Sequence, residues 1–191
     1  GIYNNRDHRK ICVIDRRCAY TGGLNLADEY ANITSPYGNW KDTGTKICGK
    51  GVKNFITMFL SIYDIASKST SNYSEYLDGD YQFFKEDGFT LPFSDGPSPF
   101  YPENISENVI SNMISGAEKT VYISTPYLIP SYNLLETIRT AALKGVDVRI
   151  IVPGIPDKKI IYLMTKSNFK NLFNAGVKIY YYTPGFNHAK S

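Results

Sequence analysis

The two histidines of this 191-residue chain, His8 and His188, are each followed at the second position by a lysine, Lys10 and Lys190. With 21 Lys and Arg residues in the chain, a basic residue falls at that spacing by chance roughly one time in ten per histidine. Two such coincidences together are then on the order of one in a hundred. Imidazole titrates near neutrality and serves as nucleophile, acid or base; a nearby ammonium holds an anion. On an extended strand the two side chains of His8-x-Lys10 point to one side, about 6 to 7 Å apart, a span that grips one tetrahedral anion. Asp15 closes this stretch, and Gly22-Gly23 and Asn25 follow. Glycine lets a backbone approach a ligand or take positive φ, and asparagine adds an amide donor. The chemistry of the set is phosphate handling.

Composition narrows the partners without naming one. Lys and Arg exceed Asp and Glu by 21 to 18, giving a net charge of +3 and a pI near 8.6, which allows an anionic partner. No Lys/Arg cluster interleaves with stacking aromatics, so nucleic acid is an unlikely ligand. Cys12, Cys18 and Cys48 show neither CxxC spacing nor an adjacent histidine. They read as buried reduced thiols, with no zinc site and no disulfide frame, and no metal or other cofactor is expected. No apolar run approaches the ~18 residues that span a bilayer, and no signal peptide is evident. A membrane anchor, if the parent protein has one, lies outside this chain.

The elements that must position these residues fall into an α/β pattern. Residues 10 to 14 read as a strand apolar on both faces, Asp15-Arg16-Arg17 as a tight turn, and Cys18 to Thr21 as the returning strand. Residues 26 to 39 look like a loop, and Trp40 to Ile47 like a strand. Val52 to Ser67 predicts a helix with an apolar stripe of Phe55, Ile56, Phe59, Leu60, Ile62 and Tyr63. Lys68 to Asp80 is the best linker. Beyond it, Phe89 to Phe93 reads as a strand, Asp95 to Pro99 as a turn, Glu103 to Gly116 as a helix and Thr120 to Thr125 as a strand. Ser131 caps a helix ended by Gly145; Val146 to Val152 is a strand, Asp157 to Ala175 a helix, and Val177 to Tyr182 another strand. His188 begins the next. Strands and helices alternating in this way imply a mixed, largely parallel sheet flanked by helices. About a hundred residues of this framework precede His188, but only seven precede His8. Residues 1–78 therefore read as the later part of one half and 79–191 as the earlier part of a second, pseudo-repeated half, each incomplete.

His8-x-Lys10-x-x-x-x-Asp15 with Gly22-Gly23-x-Asn25 resembles the HKD signature of the phospholipase D superfamily. Asp7 to Ile11, Tyr20 to Asn25, Asp28-Glu29-Tyr30, Trp40 to Thr43, Thr125 to Pro130, Lys144 to Val148 and Ala175 to Tyr180 resemble bacterial cardiolipin synthase more narrowly. His188-x-Lys190-Ser191 is the beginning of a second signature, and Asp7 stands where the family often has Asn. The resemblance implies one active site with an HKD set from each half. It also implies metal-free transfer of a phosphatidyl group between two phosphatidylglycerol molecules at a membrane surface. The isolated segment is expected to show little turnover.

Under that resemblance His8 attacks phosphorus to give a phosphohistidine, while His188 donates a proton to the leaving glycerol and later takes one from the incoming hydroxyl. Lys10, Lys190 and Asn25 hold the phosphate oxygens, with Gly22, Gly23 and Ser191 beside the substrate. Asp15, Asp28 and Glu29 are the carboxylates available to orient an imidazole, and spacing singles out none of them. Pro126 and Tyr127, at the end of a strand, are placed to line a cleft. Trp40 reads as core, and Lys158-Lys159 with Lys166 as a solvated helix face. Two rivals stay open: hydrolysis by the same residues, as in a phospholipase D or related nuclease, and a noncatalytic phosphate- or nucleic-acid-binding scaffold.

Overall fold

The structure is a computed structural model that describes residues 7–78, 89–96 and 102–191. In chain order it contains strands β1 (Ile11–Ile14), β2 (Cys18–Gly22), β3 (Asn39–Lys41) and β4 (Gly44–Cys48), then helices α1 (Val52–Ser67) and α2 (Tyr73–Leu77). There follow α3 (Ile105–Ser115), β5 (Thr120–Ser124), α4 (Tyr132–Leu143), β6 (Asp147–Pro153), α5 (Lys159–Ser167), α6 (Phe169–Asn174), β7 (Lys178–Tyr182) and β8 (Gly185–Asn187). Packing divides the chain into two compact units, residues 1–22 with 44–104 and residues 23–43 with 105–191. This packing division is not the cut after residue 78 that the linker suggests, because residues 23–43 leave the first sheet and pack with the later part of the chain.

In the first unit β2 lies between β1 and β4 in an antiparallel sheet, with Val13 opposite Ala19 and Ala19 opposite Ile47. Asp15 and Arg16 turn β1 into β2 with φ of 52° and 59°, the left-handed values that match a hairpin's twist. Alternation sends Ile11, Val13, Ala19 and Ile47 to one face, where they pack on Val52, Phe55, Ile56 and Leu60 of α1. The other face is open: Cys12 is exposed, as is half of Ile14. The expected strand apolar on both faces and the expected buried thiols are both corrected here, since one helix covers one side only. The helix bounds match the periodicity, but Phe59 and Tyr63 stand outside its buried stripe.

The linker region contains α2, which side chains tie down. The Asp64 carboxylate accepts from the Ser71 amide and hydroxyl, and Arg16 donates to the carbonyls of Glu75 and Asp78. Residues 89–93 form no strand. Pro92 has no N–H for a ladder, and its carbonyl accepts instead from Asn54 Nδ2 at 2.9 Å. The turn expected at 95–99 and the end of the linker lie partly outside the described residues.

In the second unit β5, β6 and β7 form a parallel sheet with Ile123, Ile150 and Ile179 in register. Val148, Ile150 and Val152 of the central strand are buried with Ile114, Leu135, Ile138, Leu172 and Val177. Ser131 caps α4 by accepting from the Leu134 amide at 3.1 Å. Gly145 and Gly176 end α4 and α6 at φ of 95° and 90°. The single helix expected from Asp157 to Ala175 is two, parted at Asn168. Thr165 Oγ1 accepts from the Leu128 amide and Asn168 Nδ2 donates to the Leu128 carbonyl, so the helix break holds the loop after β5.

A third pairing matters most for the site. β3 and β8 lie parallel, Trp40 beside Phe186, although about 145 residues separate them in the chain. A Cβ on Gly185 would come within 2.4 Å of Asn39 N and O, so that approach requires glycine. The strand ends at Asn187; His188 follows β8 instead of starting a new strand. The mixed α/β class holds, with the parallel ladders confined to the second unit.

Asp147 on β6 accepts from Arg149 and from Lys178 of β7, and these bonds lower its pKa from 3.8 to about 2. A carboxyl depressed in the folded state adds stability above its unfolded value and loses it as pH falls through the folded one. Acid titration of Asp147→Asn should therefore show a shallower loss of thermal stability between pH 3.8 and about 2. An unchanged acid slope would exclude this contribution.

Candidate active site

The β3–β8 pairing continues one step past the strands, where the His188 amide donates to the Lys41 carbonyl at 2.7 Å. This sets Asp42 beside His188, with Nδ1 2.7 Å from Asp42 Oδ2. Both side chains are enclosed, 8% and 3% exposed. A carboxylate accepts only, so Nδ1 donates to Asp42 and Nε2 is the acceptor nitrogen of a neutral ring. The other oxygen, Oδ1, accepts from the Thr43 amide at 2.8 Å.

Gly23 makes room for this carboxylate. A Cβ there would fall 2.1 Å from Asp42 Oδ1 and 2.8 Å from Oδ2, and the Gly23 amide donates to the Thr43 carbonyl at 3.1 Å. The sequence suggests that this glycine admits a ligand; in the structure its bare Cα admits an acid of the same chain. Gly22 is the last residue of β2, opposite Gly44.

Three rings surround the imidazole: Tyr30 edge-on at 5.4 Å, Trp40 at 5.3 Å and Phe186 at 5.9 Å between centroids. Trp40 is core, as expected, and also part of the histidine's wall. Asn25 Nδ2 donates to the Tyr30 hydroxyl at 2.5 Å. Burial, the largest effect, raises the Tyr30 pKa, as do the charges of Glu29, Asp42 and Asp157.

The lysines of both pairs fold back. Lys190 Nζ donates to the His188 carbonyl at 2.8 Å and lies 3.2 and 3.1 Å from the two ring nitrogens. An ammonium equally close to both nitrogens stands over the ring face, because an in-plane position would clash with the carbon between them. Lys10 Nζ donates to the His8 carbonyl at 2.7 Å and lies 3.1 Å from His8 Nε2. His8 and Lys10 precede β1, so the parallel projection at 6 to 7 Å expected of a regular strand gives way to the same fold-back in each pair.

The remaining expected residues scatter. Asp15 is exposed in the β1–β2 turn, at the far end of β1 from His8. Asp28 and Glu29 lie in a turn whose backbone bonds include Ile33 N to Asp28 O. Ser191 pairs its backbone with Ser124 through both amides, and with Lys190, Thr125 and Tyr127 it lines a groove. The carboxylate that meets Nδ1 of His188 is Asp42, absent from the three candidates; its signal was the Trp40-Lys41-Asp42-Thr43 stretch. Among the described residues no group of three or more His, Cys, Asp or Glu could hold a metal, and no helix is long and apolar enough to cross a membrane.

This fold and these paired His-x-Lys sets define a phospholipase D-like protein, and comparison with known proteins agrees. A family model described as cardiolipin synthase, PLD-like domain, matches residues 110–191. The chain is 46% identical over 188 residues to an uncharacterised protein of Streptococcus mutans. It is 38% and 39% identical to cardiolipin synthases of Halalkalibacterium halodurans and Clostridium perfringens. Each match covers 98% of this chain, which spans 37% to 40% of the length of those relatives. The phosphatidylserine synthase structure from Haemophilus influenzae superposes with a TM-score of 0.61 at 19% identity, over 96% of this chain and 50% of that one; the likeness is one of fold. Residues 110–191 thus match the phospholipase D-like family model, and over 98% of its length the chain is similar to cardiolipin synthases.

If Asp42 fixes the His188 tautomer, Asp42→Ala should replace the single Nδ1-protonated form with a mixture in ¹⁵N NMR of the imidazole. Gly23→Val, whose branched side chain cannot avoid the carboxylate, should give the same mixture with Asp42 intact. A tautomer unaltered in both variants would remove Asp42 from this role.

Proposed function

We propose that the protein is a phosphatidyltransferase that makes cardiolipin from two phosphatidylglycerol molecules through a phosphohistidine. The observation that carries this reading is the shared geometry of the two His-x-Lys pairs, each with its ammonium about 3.1 Å from an imidazole nitrogen. Phosphodiesters lack a good leaving group, so a covalent intermediate that splits the reaction helps.

His8 Nε2 attacks phosphorus, forming the N–P bond as the P–O bond to glycerol breaks. The departing oxygen takes its proton from His188. In the second half-reaction the acceptor hydroxyl returns a proton to His188 and its oxygen attacks phosphorus, breaking the N–P bond. Assigning the proton to His188 follows from Asp42, since a buried carboxylate at Nδ1 stabilises the imidazolium. Lys10 and Lys190 supply positive charge to the nonbridging oxygens. The substrate lies in a bacterial membrane, and an anionic phospholipid suits the cationic set.

The test uses the complete protein with labelled phosphatidylglycerol vesicles. Cardiolipin and free glycerol should form, and quenching in neutral denaturant, which spares the acid-labile N–P bond, should trap phosphorus label on the wild type and none on His8→Ala. His8→Ala and His188→Ala should each lower turnover on the order of 10²- to 10⁴-fold, and Asp42→Asn by at least about 10²-fold. Phosphatidic acid with glycerol, and no cardiolipin, would replace transfer with hydrolysis.

A further inference from the structure

Helix α5 is turned inside out relative to an ordinary amphipathic helix, which points its apolar stripe at the core. The inward residue of α5 is Thr165, buried and accepting from the Leu128 amide through Oγ1. Ile160, Leu163 and Met164 are spaced i, i+3 and i+4, so they share one face. That face looks outward, with the three residues 75%, 65% and 46% exposed. The bond from Leu128 fixes this orientation, because rolling the stripe inward would break it.

Positive charge frames the stripe. Lys158 and Lys159 are exposed at the start of the helix and Lys166 near its end. The Lys166 ammonium lies 4.6 Å from the centre of the Tyr162 ring, on a side of the helix away from Ile160 and Met164. No acidic residue follows Asp157 in the chain, whereas six lysines do. Two of the six are engaged elsewhere, Lys178 with Asp147 and Lys190 with the His188 carbonyl. Helix α5 itself carries no carboxylate to offset its lysines.

The lysines discriminate among the partners that could cover such a face. Lysine is depleted in protein–protein interfaces. A second copy in two-fold contact would set the same lysines against their own kind. An anionic lipid surface suits both features: its acyl chains take up the apolar residues, and flexible lysine stems reach the phosphates at the headgroup level.

We propose that the outer face of α5 is a membrane-docking surface. Ile160, Leu163 and Met164 enter the boundary between headgroups and acyl chains of an anionic bilayer, and Lys158, Lys159 and Lys166 meet its phosphates. The helix is packed close to the histidine, since Tyr162 and Phe186 wall one small cavity and Phe186 lies 5.9 Å from His188. Docking through α5 holds that imidazole near the lipid surface.

The test reads insertion locally and without turnover, so it is independent of the phosphatidyl-transfer reading and of any anchor elsewhere. Leu163→Trp is made in the intact protein, and its added fluorescence is the difference from the wild type. With vesicles of equal parts phosphatidylglycerol and phosphatidylcholine, that emission should shift to the blue and be quenched by brominated acyl chains. Phosphatidylcholine alone should leave it water-like. Lys158→Gln, Lys159→Gln and Lys166→Gln should each lower the ratio of inserted to free helix about fivefold, and Lys144→Gln at the end of α4 should not. Ile160→Trp should report the same pattern. Water-like emission from both tryptophans on phosphatidylglycerol overturns the proposal. So does equal quenching in the two lipids, or an equal effect of Lys144→Gln. Emission already blue-shifted without vesicles overturns it too, because protein would then cover the face.

Discussion

The parallel pairing of β3 with β8 is the constraint on which the rest of the site depends. It joins a loop near residue 40 to the segment that ends in His188, and it forms through three residues on each strand. A strand this short contributes little by its own ladder. Its stability comes from Trp40 against Phe186, at 4.7 Å, and from glycine at 185, where backbone meets backbone. The polar groups that follow are therefore positioned by an apolar contact. Burying an acid and an imidazole is expensive for each alone, and the bond between them offsets that cost.

The same logic explains the division of labour among the aromatic residues. Tyr30, Trp40 and Phe186 enclose His188 and exclude water from its proton-bearing side. An electrostatic contact gains strength as water leaves. Asn25 works at one remove: its amide orients the Tyr30 hydroxyl.

Local signals made much of the fold legible. Apolar periodicity marked α1 from Val52 to Ser67, Ser131 announced a cap, and Gly145 and Gly176 marked helix ends. All of these depend on neighbours within a few residues. Asp42 did not show itself, because its partner lies 146 residues away and no period in the chain encodes that meeting. Gly23 was visible as a special residue, but the reason for it, a carboxylate against its Cα, belongs to tertiary structure. The break at Asn168 was hidden for a similar cause: the side chains of Thr165 and Asn168 serve the Leu128 backbone, a contact that helical periodicity does not reveal. His8-x-Lys10 and His188-x-Lys190 were legible as pairs, whereas the fold-back of each lysine was not.

That fold-back has an entropic consequence. A free lysine side chain samples many rotamers, and fixing it when an anion arrives costs up to about 2 kcal/mol. Lys10 and Lys190 are already tethered to the carbonyls of His8 and His188, so most of that loss is incurred during folding. Each ammonium is thereby held at a fixed origin. A longer, forked guanidinium could not tuck against its own backbone in the same way. The two-residue spacing from histidine thus measures the length of a four-carbon stem, and lysine at that position is a matter of reach as much as of charge.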